Sequence, residues 1–566
     1  MKIIFVSVEN GIISIGFRKV VSFAKLIDPK IEVCYITPSN MYSPVDAIVN
    51  FGNTNSDLPE KDTKEVAKYL SKADMLCFSS MTPFADLTKK IVKYTRELNP
   101  NTYMVWGGIH PSVYPEDAIK SVDAICIGEG EYSFKSFISA YKNKENYLKT
   151  GNFWFNINGK IIKNNFLDLN KMEDMEKFPF PYYAENELVY KKKLGFVPLT
   201  TSEYISLTGI SYHTILAIGC PFKCTYCANS VFSENDPMYR KLRYPSVNYI
   251  ISEVKSVLDK QPYISNVMFM DDGFIALPVE YLREFGKKWK KEVNIPFGLS
   301  GVLPGYVKKE KMEILTAAGM TRMRMGIQSG SDRILKFYKR PNRPGLIKQT
   351  ATVISQFSNY MIPPTYDIIL DNPIETKQDV TDTLKLLYDL PRPFILQIYG
   401  LRIIPNTTLA DDLKKLNISL KDISKGYLIV EPTLANVMIY ILTIFKPPKW
   451  LFNYVLKRAE PYTVKQKQHY VLLFLFRTIW LFKRGFIGIT NMDFTELPGR
   501  LGWMCWKLGI VKVWRKLVQD RKYNSSALVS KIVENSKTEQ HYSSTEVGSH
   551  KHAGEIDQEL AKSKFL

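Results

Sequence analysis

The sequence predicts an α/β protein made of two runs of parallel strands followed by a helical carboxyl region. Three observations carry that expectation. Short apolar, β-branched runs alternate with helical patterns up to about residue 142, the alternation resumes after residue 205, and beyond residue 417 strand-like runs give way to apolar and basic stretches. Hydrophobic residues make up 45% of the chain and charged residues 23%, an ordinary globular composition. A length of 566 residues suggests roughly three or four domains.

The first run opens with Lys2-Ile-Ile-Phe-Val-Ser-Val8, which reads as a buried strand, and Arg18 to Leu26 follows at helical spacing. Further strands are expected at Ile31 to Ile36, Met75 to Ser79, Met104 to Trp106 and Ala124 to Ile127, with helices at Thr63 to Ser71 and Phe84 to Leu98. Such alternation implies a doubly wound parallel sheet, whose ligands sit at the carboxyl ends of the strands. Those ends are Ser79-Ser-Met-Thr82, Trp106-Gly-Gly-Ile-His-Pro111 and Gly128-Glu-Gly-Glu131. Glycines there are either tight turns or places where a ligand approaches the backbone. No Gly-x-Gly-x-x-Gly follows the first strand, which argues against a nicotinamide cofactor.

Residues 143–204 are hydrophilic in their first part and then run Lys177-Phe-Pro-Phe-Pro-Tyr-Tyr183, so they read as a linker. The second run, 205–416, shows helices at Val247 to Leu258, Pro278 to Val293 and Lys308 to Ala318 between strand-like stretches. At its start lies Ala217-Ile-Gly-Cys-Pro-Phe-Lys-Cys-Thr-Tyr-Cys-Ala-Asn229, with Cys220, Cys224 and Cys227 in one loop. Thiolates are soft ligands suited to zinc or iron-sulfur clusters. Zinc would need a fourth ligand, and the nearby candidate is His213, across a six-residue gap from Cys220. Three thiolates on a four-iron cluster would leave one iron free for a substrate.

The Cys-x3-Cys-x2-Cys spacing, with Tyr226 before the last cysteine, resembles the radical S-adenosylmethionine (SAM) enzymes. Val267-Met-Phe-Met-Asp-Asp-Gly-Phe274 is similar to that family's second barrel strand and Arg324-Met-Gly-Ile-Gln-Ser-Gly-Ser-Asp332 to its fourth. Tyr366 to Thr376 resembles the fifth strand with its loop, and Leu401 to Leu409 the sixth. The resemblance implies a partial (β/α)6 barrel, a 4Fe-4S cluster on Cys220, Cys224 and Cys227, and SAM held by Tyr226, Asp271, Asp272, Gln328 and Ser329. It also implies a 5'-deoxyadenosyl radical, a closed dry site, and a reductase or a flavodoxin- or ferredoxin-type electron donor. Two positions depart from the family pattern: Ile218 stands where an arginine is frequent, and Phe297 to Val302 lacks a following arginine, which implies either a different substrate or SAM bound by other groups such as Arg324 or Arg402.

In front of such a barrel, the glycine-bearing strand ends resemble a cobalamin-binding domain. That likeness implies that Ser79, Ser80, Thr82, Gly107, Gly108 and Gly128 receive the nucleotide tail. In place of the frequent cobalt-ligating histidine the loop carries Ile13, which implies either an open lower face, the reading favoured here, or a domain that has lost its cofactor, and His110 reads as a turn or tail contact.

Past residue 417 the apolar runs Thr433 to Phe445 and Tyr470 to Phe482 are too short to span a bilayer, and Arg477 interrupts the second. Lysines and arginines lie around them among Trp503, Trp506 and Trp514. This region, 417–523, reads either as a helical cap on the barrel or as a peripheral membrane contact. The charge of +20 favours an anionic surface or substrate, and no nucleic-acid recognition fold accompanies it. Residues 524–566 are polar and read as disordered. Seven cysteines and no apparent leader at Met1 suggest a cytoplasmic setting. The resemblance implies a cobalamin-dependent C-methyltransferase for a small-molecule or lipid substrate. Its alternatives are a cyclase or ring-modifying enzyme and a sensor without turnover.

Overall fold

The computed structural model describes residues 1–39, 56–184, 186–419, 429–490 and 499–510, with Val513 and Leu517. Among the described residues fifteen strands form two sheets. The first nine are β1 (Ile3–Val8), β2 (Glu32–Ile36), β3 (Met75–Ser80), β4 (Tyr103–Gly107), β5 (Ala124–Cys126), β6 (Phe153–Ile157), β7 (Lys160–Lys163), β8 (Leu188–Lys191) and β9 (Gly195–Pro198). They run in the order β7-β6-β5-β4-β3-β1-β2-β8-β9. The expected doubly wound sheet is its parallel centre, from β5 through β1 to β8, and the strand order reverses between β1 and β3. A crevice opens at such a reversal, outside the carboxyl ends of the strands.

The stretch 143–204, read as a linker, instead supplies four strands to this sheet. β6 and β7 pair antiparallel beyond β5, β8 lies parallel to β2, and β9 returns antiparallel to β8. The cause is a short alternation inside a polar stretch. Phe153 and Phe155 are fully buried, and Phe153 stacks on Phe137 at 4.7 Å between ring centroids, while Trp154 and Asn156 face the other side.

The second sheet contains six parallel strands in sequence order, an open (β/α)6 barrel: β10 (Ser211–Thr214), β11 (Asn266–Phe269), β12 (Phe297–Val302), β13 (Met320–Gln328), β14 (Thr365–Leu370) and β15 (Ile395–Gly400). The sixth strand thus precedes the Leu401 to Leu409 stretch read as that strand, which forms the loop after β15 and the start of a helix. The carboxyl region is helical at Leu434–Ile444, Lys449–Arg458, Tyr470–Thr490 and Gly499–Lys507. The third of these continues past Phe482 through Lys483 and Arg484, so it is longer than the apolar run suggested. Among the described residues no helix is long and apolar enough to cross a membrane. The polar tail 524–566 lies outside the described residues.

One hydrophobic core runs from the inner face of the first sheet (Phe5, Tyr35, Phe155) through Tyr204 and Tyr212 into the barrel (Phe269, Trp289, Leu396). A charged clasp is buried at this junction. Arg18, on the helix after β1, donates to both carboxylate oxygens of Glu187 at 2.8 and 3.2 Å and to the Ile12 and Tyr182 carbonyls. Tyr35 and Tyr204 donate to the same carboxylate, and Tyr183 lies 4.0 Å from the guanidinium. Removing one partner of a buried pair leaves an uncompensated charge. Glu187→Gln should therefore destabilise the protein by about 3–5 kcal/mol, seen as a lower melting temperature, whereas a change at the exposed pair Lys348 and Asp389 should be nearly silent.

Candidate active site

The cysteine loop hangs between β10 and the helix Ala228–Asn235, which begins at Cys227. Its entry is fixed from two sides. The buried carboxylate of Asp271, just past β11, accepts the backbone N–H of Leu216 at 3.1 Å and that of Ala217. Ile218 exchanges backbone hydrogen bonds with Arg243 at 2.8 and 2.9 Å, and the Cys220 N–H donates to the Tyr239 carbonyl at 3.3 Å. Between them Gly219 has φ +111°, and a Cβ there would lie 2.7 Å from the carbonyl oxygens of Tyr239 and Lys241. Only glycine fits such a position.

Cys220 and Cys224 are buried and Cys227 is half-buried. Burial pushes the Cys220 thiol up to about 12 and raises that of Cys227, so these sulfurs become thiolates only when a metal replaces their protons. Among the described residues, no three His, Cys, Asp or Glu side chains converge as a single metal ion would require. Three soft donors on one loop suit the wider four-iron cluster better than zinc. Arg340, which no spacing in the sequence singled out, is buried beside them. It reaches the Cys224 sulfur at 3.6 Å and the Tyr226 hydroxyl at 3.4 Å, and also donates to the Gly326 carbonyl.

The two aspartates after β11 face opposite ways. Asp271 is turned inward, and burial raises its pKa to about 7 against the two backbone N–H groups that lower it. It is a positioning residue for the loop, not the contact to SAM that the acidic pair suggested. Asp272 is exposed at the mouth, where its carboxylate accepts the Asn229 side-chain amide at 2.8 Å. The protein ringing it still raises its pKa, by crowding out solvation, and Asn229 opposes that. Its location beside Cys227 leaves it free to bind a ligand's ammonium group.

Gln328 ends β13 at φ +66°, with its amide folded over Gly326 toward Arg340. Tyr226 packs edge-on against Tyr338 at 4.9 Å. Ser329 is directed elsewhere. Its hydroxyl is buried against Thr383 at 3.3 Å and accepts the Ser331 N–H, so it fixes the turn rather than facing the mouth.

At the carboxyl end of the first sheet, the parallel pairing of β3 with β4 brings Ser79 and Ser80 beside the Gly107-Gly108 turn. Gly108 has φ +92°, and a Cβ there would lie 2.8 Å from the Ser79 hydroxyl and 3.0 Å from the Ser80 carbonyl. The Ser80 hydroxyl is already taken by the Trp106 indole N–H at 3.0 Å and Thr88 at 3.2 Å. Thr82 Oγ1 and His110 Nδ1 are buried with no partner among the described residues. His110 leans on Trp106 and on Asp117, at 3.1 Å from Nε2, and burial lowers its pKa. Gly128, with φ +75°, is covered by Phe166, whose ring would lie 3.3 Å from a Cβ at that position. A close-approach turn and orphaned polar atoms fit a polar cofactor tail at Thr82 and Gly108.

Family comparison agrees with both ends. The Radical SAM superfamily model matches residues 214–387, and the B12 binding domain model matches residues 47–138. The chain thus joins a B12-binding domain to a radical SAM domain. Its cofactors are therefore a 4Fe-4S cluster, SAM and cobalamin. It is 23% identical over 328 residues to an uncharacterized methyltransferase of Pyrococcus horikoshii, covering 57% of this chain and 66% of that protein. With the anaerobic magnesium-protoporphyrin IX monomethyl ester cyclase of Rubrivivax gelatinosus it shares 21% over 353 residues, covering 61% of this chain and 58% of the cyclase. Both matches thus span just under two thirds of those relatives or less. Its fold is similar to that of TsrM from Kitasatospora setae, a radical SAM methyltransferase solved with tryptophan substrate and a SAM analogue. The TM-score is 0.56 at 14% identity over 73% of this chain and 76% of that one. It is also similar to the cobalamin-dependent radical SAM enzyme OxsB solved with aqua-cobalamin, at TM-score 0.57 and 15% identity over 94% and 81% of the two chains.

Gly219→Ala should lower the iron content after anaerobic reconstitution as severely as Cys220→Ala does, because it displaces the loop backbone rather than a ligand. Full iron loading in Gly219→Ala would contradict that account. Asp271 gives a second test, read on the protein without cofactors. Because its folded pKa lies above its unfolded value, its contribution to stability is complete below about pH 4 and is lost as pH rises through about 7. Asp271→Asn should remove that component, flattening the fall in melting temperature over this range.

Proposed function

We propose that this radical SAM enzyme is a C-methyltransferase acting on an unactivated carbon of a small-molecule or lipid substrate. One observation carries the reading: the cysteine loop and the glycine-bearing strand ends adjoin. The helix Ala228–Asn235, starting at Cys227, packs on the helix Ile109–Val113 that follows Gly108. Arg243, paired by its backbone to Ile218, donates to Glu129 beside Gly128 at 2.7 Å. When bound, the cluster, SAM and cobalamin would supply a hydrogen-abstracting radical and a methyl group within one enclosure.

The chain's own residues have separate tasks in this proposal. Cys220, Cys224 and Cys227 would hold the cluster, with Arg340 donating to the Cys224 sulfur. Asp272 and Gln328 would orient SAM, and Thr82 with the Gly107-Gly108 turn would receive the cobalamin tail. The contact between helices Ala228–Asn235 and Ile109–Val113 would help keep bulk water from the space between them. A reductase or a flavodoxin- or ferredoxin-type protein would supply electrons. The likeness to the Rubrivivax cyclase favours a second reading, ring formation with cobalamin but without methyl transfer.

The test is stoichiometry. With the reconstituted, reduced enzyme and candidate substrates from lipid extracts, S-adenosylhomocysteine and 5'-deoxyadenosine should form in near-equal amounts with a methylated product. Deoxyadenosine with product but no stoichiometric S-adenosylhomocysteine would replace the methyltransferase reading by the cyclase one.

A further inference from the structure

The helix Tyr470–Thr490 is inside out. A surface helix normally turns its apolar stripe to the core and its charges to water. Here the outward stripe is Val471, Leu475, Phe482 and Phe486, with Phe474 beside it, and Val471, Phe482 and Phe486 are 79%, 70% and 65% exposed. These residues recur at helical spacing and no charged side chain interrupts them. Thr478, on the same side, returns its hydroxyl to the Phe474 carbonyl at 2.8 Å, so it presents no unsatisfied donor.

The charges lie on the opposite side, with buried Trp480. Lys483 donates to the Thr443 carbonyl at 3.3 Å and to that of Ile444, Arg484 donates to the Gln397 side chain on β15 at 3.2 Å, and Arg477 lies beside Tyr440. The helix is thereby anchored through its cations to Leu434–Ile444 and the barrel.

Exposed cations precede the apolar helix in the chain. Between residues 429 and 490 the chain has nine lysines and arginines against Glu431 and Glu460, and Glu460 is paired with Lys377 at 2.5 Å. Lys446, Lys449, Lys457, Arg458, Lys465 and Lys467 are exposed. Trp450, 72% exposed, and Tyr454, whose ring lies 3.8 Å from the Arg458 guanidinium, stand among them. An isologous contact with a second copy would set these cations against their own kind. An anionic lipid surface satisfies both features, taking the apolar stripe into the acyl boundary and the cations at its headgroups.

We propose that this region is a monotopic docking surface for anionic membranes, with Tyr470–Thr490 lying in the interface rather than crossing it. The inference goes beyond the catalytic reading and is independent of it, because docking is measured without turnover. The full-length, cofactor-loaded protein should co-sediment with phosphatidylcholine vesicles containing phosphatidylglycerol, bind pure phosphatidylcholine much more weakly, and release as salt is raised. Phe482→Glu with Phe486→Glu should lower vesicle binding by about tenfold or more, with iron loading and melting temperature unchanged. Lys449→Ser, Lys457→Ser and Arg458→Ser together should abolish the preference for the anionic vesicles and provide a second reading should the glutamate variant fold poorly. Wild-type protein remaining in the supernatant, or a glutamate variant that binds as well as wild type, would overturn the proposal. So would a wild-type dimer in solution that the glutamate pair converts to monomer, since the occupant would then be a second copy.

Discussion

Arg243 holds the two halves of the site in one relation. Its backbone pairs with Ile218, two residues before the first cysteine, and its guanidinium crosses to Glu129 and the Asn170 carbonyl of the first sheet's unit. Both side chains are largely buried, at 11% and 15% exposure. Charges at that depth are tolerable only when paired, and here each unit contributes one of the pair. Pulling the units apart would leave a poorly solvated charge on each surface, so this contact favours a fixed geometry over hinged domains. Lys19, donating to the Ile215 carbonyl at 3.3 Å, and Tyr249, donating to the Phe178 carbonyl at 3.3 Å, tie the same seam. The distance between the cysteine loop and the Gly107-Gly108 turn is set by folding before any cofactor binds.

Within that frame, direction decides what each charge does. Asp271 and Asp272 are neighbours where the chain bends just past β11, and the first is buried while the second is exposed. The inner carboxylate fixes the loop entry, and the outer one stands at the mouth beside Cys227. Arg340 offsets the concentration of acidic and thiol groups from the other side. Burial disfavours its charge, yet Tyr226 and the sulfurs of Cys224 and Cys220 hold its pKa above the ordinary value. The loop is thus ready for soft ligation on one flank and for an ammonium group on the other.

The sequence made this much legible because its information is local. Three thiols in one loop and strands alternating with helices are patterns over short windows, so the fold class and the cysteine loop could be read directly. The edge strands could not, because Phe153 and Phe155 alternate for only five residues inside a polar run and their partner, β5, is distant in sequence. Side-chain direction at the strand ends was equally hidden. Spacing cannot tell that Ser329 turns to Thr383, or that Arg340 comes back from beyond the fourth strand to reach Cys224. The Leu401 stretch misled because Leu401 and Ile403 are buried, as strand residues would be, although they pack in the loop beyond the true strand.

The far end of the barrel explains the polarity of the carboxyl helix. On β13, alternation puts Arg324 on the same face as Gly326 and Gln328, the face that meets Arg340 near the cysteines. Arg324 donates to Asp367 on β14 at 2.7 Å and to Tyr399 on β15, so three strands are bridged by one guanidinium. Burial raises the pKa of Asp367, and Arg324 opposes the rise. Arg484 adds a further cation through Gln397, which is in register with Asp367. A polar barrel interior needs such partners, and the carboxyl helix supplies one only by turning its basic side inward. Its apolar side is then left outside. The same constraint that completes the barrel's hydrogen bonding places a lipid-compatible face on the surface of the enzyme.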